Sequence, residues 1–190
     1  MEKYKILMFS DHALSTSGVG CQSRFLVNGL VEKGCWSVRQ FGAALKHSNY
    51  DITTVSEDFV IKPIDGFGNP DVVRSVIRNF KPDILWFMTD PRFYQWLWQI
   101  ENEVRPLVPM VYYHVWDNYP YPYFNKRYYD SNDYIATISK VTDDIVRTVS
   151  PSVDCTYLPH AVDSNIFAPH PEEVWMQTRN QSLNKEDVNK

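Results

Sequence analysis

Five places along the chain join an acid, an imidazole or a hydroxyl to the end of an apolar run. They are Asp11-His12, Thr89-Asp90, His114 with Asp117, Ser139-Lys140, and His160 with Asp163. Carboxylates and imidazoles gathered in one place can hydrogen-bond a polyol and move protons near neutral pH. Each taken singly has a plain explanation, because the loops that follow strands are wet. Together they point to a ligand-binding rim, provided that the elements carrying them end at one edge.

Two further segments add chemistry. Ser17-Gly18-Val19-Gly20 stands between a first apolar run and a helical pattern. Glycines there leave backbone N–H groups open to a phosphate, and the helix start adds positive partial charge. Glycines at such a turn also serve close packing. The other segment is Tyr112-Tyr113-His114-Val115-Trp116-Asp117-Asn118-Tyr119-Pro120. A histidine at a strand end, beside a carboxylate and among rings, can hold a polyol while the rings cover sugar faces. The same pattern equally describes a core histidine with aromatics filling space.

Several chemistries find no support. A dinucleotide fingerprint needs a third glycine and an acid about 20 residues on. Here Ser23 takes the third place, and the second strand runs Gln40-Phe41-Gly42. A nicotinamide or flavin dehydrogenase is therefore disfavoured. The loop lacks the Lys-Ser/Thr pair of a P-loop, and no G-x-S-x-G elbow, H-E-x-x-H helix or D-x-D triplet occurs. Carboxylates are plentiful, yet no glycosidase pair is singled out.

The elements that must position these residues alternate. Residues 5–11 form a short continuous apolar run, as in a strand buried on both faces. Phe25, Leu26, Leu30 and Val31 recur at helical spacing before Gly34. Residues 38–43 and 60–64 read as strands, with an aperiodic stretch over 45–58. Asn69-Pro70 opens a helix carrying Val72, Val73, Val76 and Ile77 on one stripe. Strands follow at 84–88, 108–114, 133–138 and 155–158. The helical patterns between them are Phe93, Trp96, Leu97 and Ile100, then residues 141–149. This alternation predicts an α/β fold, a Rossmann-like parallel sheet with helices on both faces. Residues 1–170 make the domain, and the polar stretch 171–190 reads as a linker or tail.

Composition bounds the partners. The 190 residues carry 19 Lys and Arg against 23 Asp and Glu, a net charge of −4, which disfavours nucleic acid. No apolar run reaches the ~18 residues of a membrane span, and the first residues lack a signal peptide's apolar stretch. Three cysteines without a C-x-x-C motif propose neither a disulfide framework nor a zinc site. Buried thiols in a reducing cytoplasm are the expectation. Of 28 aromatic residues, 16 fall between Trp86 and Tyr134, so they mark a region.

These residues, in this order, resemble the N-terminal half of a family 4 retaining glycosyltransferase of the GT-B fold. The likeness rests on the opening strand with Ser17-Gly18-Val19-Gly20 and the helix with Arg24, Leu30 and Gly34. It rests also on Lys81-Pro82-Asp83-Ile84, on the strand ending in His114, and on Leu158-Pro159-His160-Ala161-Val162-Asp163-Ser164-Asn165-Ile166-Phe167-Ala168-Pro169. Ala161 departs from the family's usual glycine. The resemblance implies one half of a GT-B enzyme, with a nucleotide-sugar as donor substrate and no metal or other cofactor. The second, C-terminal domain, in cis or in trans, would hold most of the donor. It implies His114 as the catalytic residue on the donor sugar, and Gly18, Val19 and Gly20 at the donor diphosphate. Asp11, His12, Arg24, Asp90, Trp116, Asp117, Ser139, Lys140, His160 and Asp163 would line the acceptor side of the cleft. The acceptor is a glycan, a lipid or a small molecule, and nothing in the sequence speaks against work at a membrane surface. The chain alone would then be inactive. The competing expectation is a non-catalytic module that binds a glycan or a protein through the 86–134 region, or one subunit of a split enzyme.

Overall fold

The computed structural model describes residues 2–46, 49–116, 118–169 and 176. Two units are distinguished, residues 1–160 and 161–190. Among the described residues of the first unit, eight strands form one sheet. They are β1 (Tyr4–Asp11), β2 (Trp36–Ala43), β3 (Thr53–Ser56), β4 (Phe59–Pro63), β5 (Ile84–Thr89), β6 (Met110–His114), β7 (Tyr134–Thr137) and β8 (Cys155–Tyr157). Their order is β3-β4-β2-β1-β5-β6-β7-β8. Every pairing is parallel except β3 with β4, which is antiparallel at the edge. The α/β, Rossmann-like reading holds. The 45–58 stretch supplies the short β3, whose polar Thr53-Thr54 and Ser56 carry no apolar signal.

The longer helices start where cap chemistry places them. Helix α1 (Gly18–Glu32) is capped by Ser17, whose hydroxyl accepts from the Gly20 amide. Helix α2 (Pro70–Phe80) follows Asn69, whose side chain accepts from the Asp71 and Val72 amides. The helical spacing through 93–100 is broken into a 3₁₀ turn (Pro91–Tyr94), α3 (Gln95–Trp98) and α4 (Glu101–Val104). Tyr94 and Ile100 interrupt it at φ −114°. At Tyr94 the departure lets the phenol reach back to the strand ends. Helix α5 (Lys126–Asp130) precedes β7, and α6 (Lys140–Val149) crosses over to β8.

Helices cover the two sheet faces separately, because right-handed crossovers on the two sides of β1 lie on opposite faces. One face packs Leu7, Phe9, Phe87, Tyr112 and Ile135 against Val73, Leu97 and Val146. The other packs Ile6, Met8, Val38 and Ile61 against Val27 of α1. Cys35 is exposed, with Cys21 and Cys155 half-buried, which corrects the expectation of buried thiols. No helix among the described residues is long and apolar enough to cross a membrane. The 171–190 linker reading lies outside the described residues, Met176 apart.

Candidate functional site

The strand register brings the expected residues to one edge. Asp11 pairs with Ala43, Thr89 with His114, His114 with Thr137, and Thr137 with Tyr157. Asp90 follows the end of β5 directly, Ser139 comes two residues after β7 and His160 three residues after β8. The β1–β5 pairing stops at Phe9 and Phe87, whereas β1 stays paired with β2 through Asp11. From β1 the chain leads through α1 to β2 on one side, while β5 to β8 extend on the other. This is a topological switch point, the place outside the strand ends where open α/β sheets bind ligands. Fully buried Tyr94 ties the two strands together there, its hydroxyl donating to the carbonyls of Phe9 (2.9 Å) and Met88 (3.0 Å). Nothing in the sequence marked Tyr94 for that place.

The turn between β1 and α1 is built by hydroxyls and one amide. Ser17 donates to Asp11 Oδ2 at 2.6 Å and accepts from the Gly20 amide at 2.9 Å. Ser15 therefore donates to Ser17, at 3.0 Å. Gln40, fully buried in β2, donates to Ser10 Oγ (2.7 Å) and the Asp11 carbonyl (2.8 Å), and accepts from the Ala13 amide (3.1 Å). An amide inside the apolar run at 38–43 must find such partners. That signal could have identified Gln40 from sequence. Ser23, at the third fingerprint place, is buried and donates to Ser10. Burial pushes the Asp11 carboxyl up from its usual value, and the Ser17 hydroxyl opposes this in part.

The glycine segment differs from expectation. Gly18, Val19 and Gly20 are the first turn of α1 itself rather than a loop before it. A side chain at Gly20 would meet Ser15 Oγ and, at 2.6 Å, the His12 carbonyl, so Gly20 is there for close backbone approach. Gly18 is exposed with open space around its Cα. Its amide and that of Val19 are first-turn donors without a carbonyl one turn back. His12 is buried, and its Nδ1 accepts from the Leu14 amide at 3.2 Å. Arg24 is half-buried, in contact with Cys21 Sγ at 3.7 Å.

His114 lies at the end of β6, but it is fully buried and both ring nitrogens are engaged. Tyr112 donates to the Thr89 carbonyl at 2.6 Å, so His114 Nδ1–H donates to Tyr112 at 3.1 Å. Nε2 then accepts from Tyr129 at 2.7 Å. Burial pushes the His114 pKa down to about 3, and the imidazole is neutral. With both ring nitrogens held by tyrosines, His114 anchors the Thr89 corner through Tyr112. Thr89 has φ +151°, a conformation that a β-branched residue keeps only when its surroundings impose it.

Other expected residues serve the elements they join. Asp90 caps the 3₁₀ turn and is bridged by Arg92, with three contacts at 2.9 Å. Ser139 caps α6 through the Thr142 amide at 3.1 Å, and Lys140 is exposed at the first turn of that helix. Thr142 Oγ1 donates to the Trp116 carbonyl at 2.6 Å, which holds the chain after β6. Trp116 Nε1 and His160 Nε2 are buried atoms without a hydrogen-bond partner among the described residues. The His160 ring stands edge-on to Tyr113 at 5.6 Å, and burial lowers its pKa. Asp163 belongs to the second unit, where it closes a turn by accepting from the Asn165 amide at 2.9 Å. Asp117 lies outside the described residues. Beside the rim, Tyr119, Tyr123 and Phe124 are 87%, 63% and 71% exposed. Among the described residues no group of three His, Cys, Asp or Glu side chains converges as metal ligands.

No protein-family model matches the chain, and no curated protein matches it. Solved structures do. Sucrose-phosphate synthase from Thermosynechococcus elongatus superposes with a TM-score of 0.69 at 13% identity, over 88% of this chain. The chain spans 51% of that enzyme's length. A shorter chain of the same synthase superposes with a TM-score of 0.61 at 13% identity, covering 96% of this chain and 99% of that one. The fold is therefore that of a sucrose-phosphate synthase domain, and at this identity the likeness shows the fold alone.

Proposed function

We propose that this chain is the acceptor-side half of a retaining, family 4 type glycosyltransferase that takes a nucleotide-sugar donor. The observation that carries the reading is the switch point between β1 and β5, whose pairing ends at Phe9 and Phe87, with exposed Gly18 in the first turn of α1 after β1. Free amides at Gly18 and Val19 suit a diphosphate leaving group, adding electrostatic stabilisation where charge develops. Asp11, His12, Arg24, Trp116 and His160 line the acceptor side, and the second half supplies the rest of the donor site and the catalytic geometry. His114 acts from behind, as a positioning residue through Tyr112 and Thr89. The test is sugar transfer from a panel of nucleotide-sugars, by the chain alone and with a second α/β domain supplied. The reading expects transfer with retained anomeric configuration only in the completed enzyme. Robust transfer by the chain alone, or inversion, would overturn it.

A second reading draws on the exposed Tyr119, Tyr123 and Phe124, which suit a non-catalytic glycan-binding module. It is separated from the first by glycan binding that needs no nucleotide-sugar and leads to no transfer.

A further inference from the structure

A pocket of about 580 Å³ lies at the opposite edge of the sheet, by the amino ends of β5 and β6. Its size is that of small-molecule sites. Ile77, Pro82, Val104 and Leu107 give it an apolar floor, and Arg74, Arg78 and Lys81 stand around it. Glu103 is the single carboxylate in the lining, and Arg74 already holds it through two bonds of 2.8 and 2.9 Å. Arg78 and Lys81 have no ion-pair partner among the described residues. Two unneutralised cations over an apolar floor stand out in a chain whose net charge is −4. Leu107 is 68% exposed there, a large apolar surface left to water.

We infer that this pocket binds a small amphipathic anion, one negatively charged group on an apolar body. The body covers Ile77, Val104 and Leu107, and the charge meets Arg78 and Lys81. The site is independent of the rim, because it lies at the other ends of the strands, and it stands whether or not the chain is a glycosyltransferase half. Arg78 and Lys81 also stand at the C-terminus of α2, where cations complement the helix dipole. The test must separate that role from binding.

The probe is 8-anilinonaphthalene-1-sulfonate, titrated by fluorescence into the native chain, with uncharged N-phenyl-1-naphthylamine in parallel. The double variant Arg78→Gln, Lys81→Asn removes both charges, and asparagine tolerates the left-handed backbone at position 81, φ +51°. Leu107→Asp, at an exposed position, puts a carboxylate on the floor without touching the core. The sulfonate is expected to bind at one site, about fivefold or more weaker in the double variant and weaker again in Leu107→Asp. The uncharged probe is expected to ignore the loss of the two cations. Absence of saturable binding overturns the inference, as does affinity unchanged in both variants. A double variant that melts earlier yet binds the sulfonate equally well makes the cations helix-end partners only, and overturns it too.

Discussion

Gly18 and Gly20, two residues apart on the same helix turn, are expected to respond oppositely to alanine. At Gly20 a new Cβ meets the His12 carbonyl at 2.6 Å, and that backbone oxygen belongs to the turn braced by Gln40 and Ser17. Overpacking of this kind costs about 1–3 kcal/mol, against a gain of about 1 kcal/mol for alanine over glycine in a helix. A backbone oxygen cannot swing aside, so the cost falls in the upper part of that range, about 2–3 kcal/mol, and the net loss is about 1–2 kcal/mol, or about 2–8 °C in melting temperature for a chain of this size. At Gly18 the new Cβ meets nothing, so stability is unchanged or raised by a few tenths of a kcal/mol. Anion binding at the first-turn amides should nevertheless weaken, because the methyl stands where the ligand approaches. Urea and thermal unfolding followed by tryptophan fluorescence measure the first pair of effects, and a pyrophosphate titration measures the last. Equal destabilisation at both positions, or a tolerated Gly20→Ala, would mean that Gly20 is not there for close backbone approach.

The His114 imidazole has a pKa of about 3 in the folded chain against an ordinary 6.5. Its contribution is complete above pH 6.5 and is lost as pH falls toward 3, by about 1.4 kcal/mol per unit, since the unfolded chain takes the proton first. The stability difference between the natural chain and His114→Gln should therefore shrink by about 2 kcal/mol from pH 6.5 to 5 in urea unfolding, and a constant difference would contradict the burial argument. Gln40→Leu leaves the buried Ala13 amide without its acceptor and should cost about 1–3 kcal/mol in the same assay. Tyr119→Ala, at 87% exposure, should change stability by less than about 0.5 kcal/mol while lowering affinity for any sugar acceptor that stacks on the loop.

The strands at 84–88 and 108–114 were legible because buried parallel strands read as continuous apolar runs, and α2 because Asn69-Pro70 is a cap signal with a stripe behind it. The edge also followed from sequence, since residues just past such strands must share one rim. Which side chains on the rim are open did not follow. Asp90 is spent on Arg92, Ser139 on the α6 cap, and His114 on Tyr112 and Tyr129. Those partners lie from two to fifteen residues away, and Tyr112 and Tyr129 take their roles from a fold that turns their hydroxyls inward. Tyr94 was hidden for the same reason, because it lies off the stripe of Phe93, Trp96, Leu97 and Ile100, and spacing does not reveal that its phenol bridges β1 and β5. The aromatic richness of 86–134 divides between a packed core around Phe87 and Tyr112 and the exposed rings of 119–124.

The proposed function requires the switch point between β1 and β5, with the first turn of α1, to receive the diphosphate of a sugar donor. Residue-resolved amide NMR of the chain during titration with inorganic pyrophosphate tests it most directly. Saturable shifts are expected at Gly18 and Val19, with smaller ones at His12 and Thr89, and their loss in Gly18→Ala. Shifts confined to Arg78, Lys81 and their neighbours, or none at the start of α1, would contradict it.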